Sequence, residues 1–146
     1  MFRGNCPTRL DEKGRLKIPA DFKREIDKSY DAQFYTTSLD GKVLKLFPMK
    51  EWEAFEQRII AATPDFEELD RFQNLTSAYG HTLEMDVQGR LTVPERLREK
   101  FDLKGDLAVV GKWTHMDLRP LEEFLKEVET TPFPLSRMTA LLKSRT

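Results

Sequence analysis

A nine-residue segment occurs twice in this chain. Asp11-Glu12-Lys13-Gly14-Arg15-Leu16-Lys17-Ile18-Pro19 returns as Asp86-Val87-Gln88-Gly89-Arg90-Leu91-Thr92-Val93-Pro94, with Asp, Gly, Arg, Leu and Pro identical and Ile exchanged for Val. A duplicated unit folds as two related pieces, so the repeat restricts the architecture more than composition does. At the same offset Phe22 matches Leu97 and Ile26 matches Phe101, an i, i+4 apolar pair after a Pro suited to a first helical position. Each copy reads as strand, turn, strand, short helix.

A second correspondence follows. Leu46-Phe47-Pro48-Met49-Lys50-Glu51-Trp52 resembles Leu118-Arg119-Pro120-Leu121-Glu122-Glu123-Phe124 at a slightly shorter offset. The helix after Pro48 gathers Trp52, Phe55 and Ile59 on one side, and the helix after Pro120 gathers Phe124 and Val128. Hairpins are expected ahead of both. In the first copy Phe34–Thr37 and Val43–Phe47 flank a turn near Asp40-Gly41; in the second, Leu107–Val110 and Trp113–Leu118 flank a turn near Gly111-Lys112. Phe66, Leu69, Phe72, Leu75 and Tyr79 fall at helical spacing ahead of Gly80, so the bridge between the copies reads as a helix with a glycine stop. The expected organisation is one half at 1–62, a bridging helix at 63–79, a second half at 80–130 and a tail at 131–146. Pro132 and Pro134 break the chain before that tail, where Leu135, Met138, Leu141 and Leu142 recur at helical spacing.

Bulk charge does not draw this chain to a polyanion, because 24 Lys and Arg stand against 25 Asp and Glu. The charge is uneven, however. Through residue 20 five basic residues face two acidic ones, whereas Lys50 to Asp70 holds seven acidic residues and two basic. With no long apolar run and one cysteine, Cys6, the chain reads as soluble and cytoplasmic, without membrane span, intrachain disulfide or cysteine-rich zinc site. His81 and His115 lack metal-ligand spacing, and neither nucleophile triads nor phosphate-cradling glycine loops occur, so no cofactor, metal or small-molecule substrate is expected.

Asp-x-x-Gly suits a type I turn, with Asp accepting a nearby backbone N–H and Gly left-handed at its end. The motif residues Asp11, Gly14, Asp86 and Gly89 thus present Arg15 and Arg90. An internal Asp–Arg ion pair would fix the turn without any ligand. A guanidinium can bridge a carboxylate and still offer donors to a phosphate or a guanine edge, so both roles are compatible. Lys13 and Lys17 flank Arg15, and Arg3 adds to the same basic N-terminal region. Asp11 and Asp86 as a symmetric acid/base pair would make a small enzyme, although an Arg beside each argues that both stay ionised.

The opening Met1-Phe2-Arg3-Gly4, the two motif copies, and Leu46-Phe47-Pro48 followed by Glu51-Trp52 together resemble the MraZ family over nearly the whole chain. The resemblance implies an α+β fold in which two AbrB-like (SpoVT-AbrB) halves form an intramolecular swapped-hairpin β-barrel with flanking helices. It also implies a non-enzymatic, nucleoid-associated transcriptional regulator. As a homo-oligomeric ring, such a regulator binds tandem repeats of double-stranded promoter DNA at the division and cell-wall gene cluster, usually as a repressor. The family's DNA-contacting arginine falls on Arg15, with Arg90 as its counterpart. Gln88 and Thr92 replace Lys13 and Lys17 in the second copy, which weighs against equal contributions from the two halves. An AbrB-like antitoxin binding a toxin protein is the rival among binding proteins; a ring-forming scaffold without a ligand is a third reading.

Overall fold

Proline caps five of the six helices among the described residues. Pro19, Pro48, Pro94, Pro120 and Pro134 each occupy the N-cap, with φ between −53° and −65° and ψ between 130° and 144°. The expected first-helical position is therefore displaced by one residue. The ring fixes φ near the value the cap uses, and the extended ψ turns the chain from strand into helix. The computed structural model describes residues 1–144. Its elements are β1 (Asn5–Thr8), β2 (Arg15–Lys17), α1 (Ala20–Ser29), β3 (Gln33–Thr37), β4 (Leu44–Pro48), α2 (Met49–Ala62), α3 (Phe66–Ala78), β5 (His81–Glu84), β6 (Arg90–Thr92), α4 (Glu95–Lys100), β7 (Leu107–Gly111), β8 (Met116–Pro120), α5 (Leu121–Thr130) and α6 (Leu135–Lys143).

The eight strands form a six-stranded sheet, ordered β1-β7-β8-β4-β3-β5, and a two-stranded ladder of β2 with β6. The pairing crosses between the copies. β1, before the first motif, pairs with β7 after the second, while β5, before the second motif, pairs with β3 after the first. At the centre β4 pairs with β8, placing Leu44 opposite Leu118, Lys45 opposite Asp117 and Leu46 opposite Met116. In the ladder Leu16 faces Leu91. Both pairings have pseudo-twofold symmetry, as expected where related halves meet.

The apolar pairs read from the repeat all enter one cluster: Leu16, Ile18, Phe22 and Ile26 from the first copy, and Leu91, Val93, Leu97 and Phe101 from the second. Burying each such side chain contributes about 1.5–3 kcal/mol. Phe2 joins them, its ring 5.6 Å from Phe22 and edge-on.

Two elements depart from expectation. β8 begins at Met116 instead of Trp113, because Trp113 exchanges two 2.8 Å backbone hydrogen bonds with Phe2 and takes φ 68°, out of line with the strand. The same approach requires glycine at 111, where a Cβ would meet the Phe2 backbone at 2.5 Å. The bridging helix begins at Phe66, after Asp65 accepts the Glu67 N–H as its cap. Phe66 faces outward, while Phe72 lies against Trp52 and Phe55 at ring separations of 6.3 and 6.1 Å. Gly80 follows the helix for a different reason from the one its type suggests. Its φ is ordinary, but a Cβ would clash with Tyr35 Oη and the Thr76 carbonyl. No helix of the described residues is long and apolar enough to cross a membrane.

Candidate nucleic-acid interface

The two motif turns are built alike to within a few tenths of an ångström. Asp11 Oδ1 accepts the N–H groups of Lys13 and Arg15, each at 2.9 Å; Asp86 Oδ1 accepts those of Gln88 and Arg90 at the same distance. Gly14 and Gly89 donate back to the Asp carbonyls, and both have φ +77°, a left-handed conformation that favours glycine. The second carboxylate oxygen takes the arginine Nε, at 2.6 Å from Arg15 and 2.9 Å from Arg90. The Arg15 backbone N–H, then its side chain, holds Asp11 below the usual carboxylate range; Arg90 does the same for Asp86. Both carboxylates are therefore ionised, and neither supplies a protonated acid partner.

Antiparallel pairing then decides what faces outward. Leu16 and Leu91 point into the core, so alternation puts Arg15 and Lys17 of β2 beside Arg90 and Thr92 of β6 on the opposite face. The ladder extends into both turns, with Ile18 donating to the Gly89 carbonyl and Val93 to that of Gly14. Each arginine is anchored through Nε. Among the described residues the terminal guanidinium nitrogens of Arg15 and Arg90 take no partner, and the side chains are 28% and 26% exposed. They are oriented donors directed away from the core.

Lys17 lies on this face and reaches the Gln88 carbonyl of the opposite turn. Lys13 projects from the first turn into solvent. Arg3 is not brought together with them: it follows the Phe2–Trp113 bridge, at the end of β1 opposite Asp11, and its Nη2 contacts Met1 Sδ at 3.6 Å.

Two further cations belong here. Arg98, on α4, lays its guanidinium over Gly14, so that a Cβ there would meet Cζ at 2.6 Å; Lys23, on α1, covers Gly89, with Cε at 3.2 Å from such a Cβ. Each side chain thus covers the turn of the other copy. The signal was in the sequence, since Lys23 and Arg98 are basic at the same offset as the motif, but their direction across the ladder depends on the strand exchange. Arg98 is steadied by the Val93 carbonyl and Lys23 by Asp27.

The sequence model of the family described as "MraZ protein, putative antitoxin-like" matches residues 1–74 and 78–145. A protein of Koribacter versatilis named transcriptional regulator MraZ is 47% identical over 134 residues, covering 91% of each chain. Its namesake in Acidobacterium capsulatum is 44% identical over 142 residues, 97% of each, and that of Chromobacterium violaceum 36% identical over 124 residues. The chain belongs to the MraZ family. The MraZ relatives are named as regulators and not as enzymes, in keeping with two carboxylates held ionised by arginine. The histidines of this MraZ member sit apart, His81 exposed on β5 and His115 before β8 with its ring stacked 4.2 Å from Phe47. Burial pushes the His115 imidazole down to about 4.

Proposed function

We propose that the outward face of the β2–β6 ladder binds double-stranded promoter DNA, and that the chain thereby regulates transcription, as a repressor, at tandem repeats upstream of the division and cell-wall gene cluster. One observation carries the reading: Arg15 and Arg90 are oriented identically by their carboxylates on one face, with terminal donors to spare. Lys13 and Lys17 add phosphate contacts beside Arg15, and Lys23 and Arg98 add two more at the turns. Arg3 contributes only to the longer-range field.

The two halves, 1–62 and 80–130, act as one swapped-hairpin barrel; the pairing of β1 with β7 and of β5 with β3 supports this. A face of so few cations binds a duplex weakly on its own. A homo-oligomeric ring meeting several spaced repeats gains effective concentration without new contacts, which makes assembly part of the activity in the cytoplasm at the nucleoid. The relatives named transcriptional regulators support this reading over the antitoxin-like one in the family description.

The test is binding of the purified protein to a fluorescent duplex of its own upstream region and to one with scrambled repeats. Tighter binding to the native repeats is expected. Equal, weak binding to both overturns the proposal and turns attention to a toxin-like protein partner.

A further inference from the structure

Helix α6 buries none of its side chains, and every residue from Leu125 to Ser144 is exposed. Leu135, Met138 and Leu142 nevertheless fall at i, i+3 and i+7, making one apolar stripe with Leu141 beside it. A helix of nine residues draws little stability from its own backbone, so such a stripe needs a surface. The first copy shows how that need is met. There α3 follows α2 across Thr63-Pro64-Asp65 and returns over it through Phe72, against Trp52 and Phe55. In the second copy α6 follows α5 across Thr131-Pro132-Phe133-Pro134 without burying it, and Leu125 and Val128 of α5 stay about half exposed.

Beside α5 runs a groove of about 470 Å³, lined by Pro120, Leu121 and Leu125 together with Asp102, Lys104, Asp106 and Glu122. Asp102 lies 3.5 Å from Lys104 and Asp106 is bound by Arg9, so Glu122 is the lining carboxylate left without a partner among the described residues and open to a basic tail. α5 carries four glutamates and one lysine, with Glu123 and Glu127 held by Arg119, whereas from Thr130 to Ser144 there is no acidic residue and Arg137 and Lys143 are basic.

We infer that α6 of one copy seats its apolar stripe in the α5 groove of the next copy, with Arg137 towards Glu122. The donor surface differs from the acceptor surface, so the contact is heterologous, and contacts of that kind repeated at a closing angle make a ring. The inference rests on the oligomeric reading above and names the surfaces that build the oligomer.

Single-cysteine chains test it. In a Cys6→Ala background, chains carrying Leu125→Cys and chains carrying Met138→Cys are coexpressed and treated with a short bismaleimide, alongside the double variant; light scattering gives the mass of the wild type. An oligomeric wild type, a two-chain product joining residues 125 and 138 in the mixture, and a ladder of multiples of 17.1 kDa from the double variant are expected. Met138→Glu is expected to lower the assembly mass towards one chain. Crosslinking confined to single chains means that α6 covers its own α5, which overturns the inference. An oligomeric wild type with no 125–138 product overturns the inference and leaves the ring standing; a monomeric wild type removes both.

Discussion

Lys45 and Asp117 face each other at the centre of the six-stranded sheet, Nζ to Oδ1 at 2.8 Å, with the aspartate side chain only 4% exposed. They occupy equivalent places in the two copies, on the line about which β4 and β8 exchange. In a dimer of identical chains one residue would meet its own copy there, and a charge would meet a like charge. Duplication within one chain permits opposite charges at that position. Removing Lys45 leaves the buried Asp117 carboxylate with only the half-exposed Lys112 ammonium, 3.9 Å from its other oxygen, so Lys45→Met is expected to cost about 3 kcal/mol in urea unfolding, the lower end for a broken buried pair. The double variant Lys45→Met/Asp117→Leu is expected to recover most of it; if it is no more stable than the single, the pair is not a coupled unit.

The turn glycines differ in what lies over them. Gly14→Ala forces a side chain onto a left-handed backbone and into the Arg98 guanidinium, whereas Gly89→Ala meets the more yielding Lys23 stem at 3.2 Å. Both are expected to destabilise by about 1–3 kcal/mol, Gly14→Ala by more. Equal losses would mean that the cross-copy cover does not resist the substitution.

The duplicated motif, the helices after Pro48 and Pro120 and the buried i, i+4 pairs are legible because they are local: a repeat, a period and a turn signature. Trp113 and Gly80 were not. Trp113 leaves its strand to pair with Phe2, more than one hundred residues earlier, and Gly80 is needed where Tyr35 and Thr76 crowd it. The candidate interface divides in the same way. Asp11, Arg15, Asp86 and Arg90 follow from the motif, but the covering of each turn by Arg98 or Lys23 arises from a chain exchange that no single segment encodes. Arg3 is near the motif in sequence and distant from it along β1, since an extended strand separates residues that a count of neighbours groups together.

Stability is expected to depend on acid in two windows. His115 is neutral in the fold because burial pushes it down to about 4, while the unfolded imidazole titrates near 6.5. The unfolded chain therefore takes up the proton first, and stability declines as pH falls from about 6.5 to about 4. His115→Phe is expected to flatten that slope in thermal scans; an unchanged slope would contradict the burial argument. Asp11 and Asp86, held low by Arg15 and Arg90, contribute stability that is fully present above an unfolded carboxyl pKa of about 3.9 and is lost as pH falls through their lower folded values. Asp86→Asn is expected to weaken that second decline.

The most direct measurement compares the wild type, Arg15→Ala and Arg90→Ala on the native-repeat duplex across a salt series, with assembly mass followed in parallel. Arg15→Ala is expected to abolish specific binding while the assembly stays intact. Arg90→Ala, flanked by Gln88 and Thr92 where the first copy has lysines, is expected to lose less, about 1–3 kcal/mol of affinity. Unchanged affinity in both variants, or loss of binding only together with loss of the assembly, would contradict the assignment of the β2–β6 face to DNA.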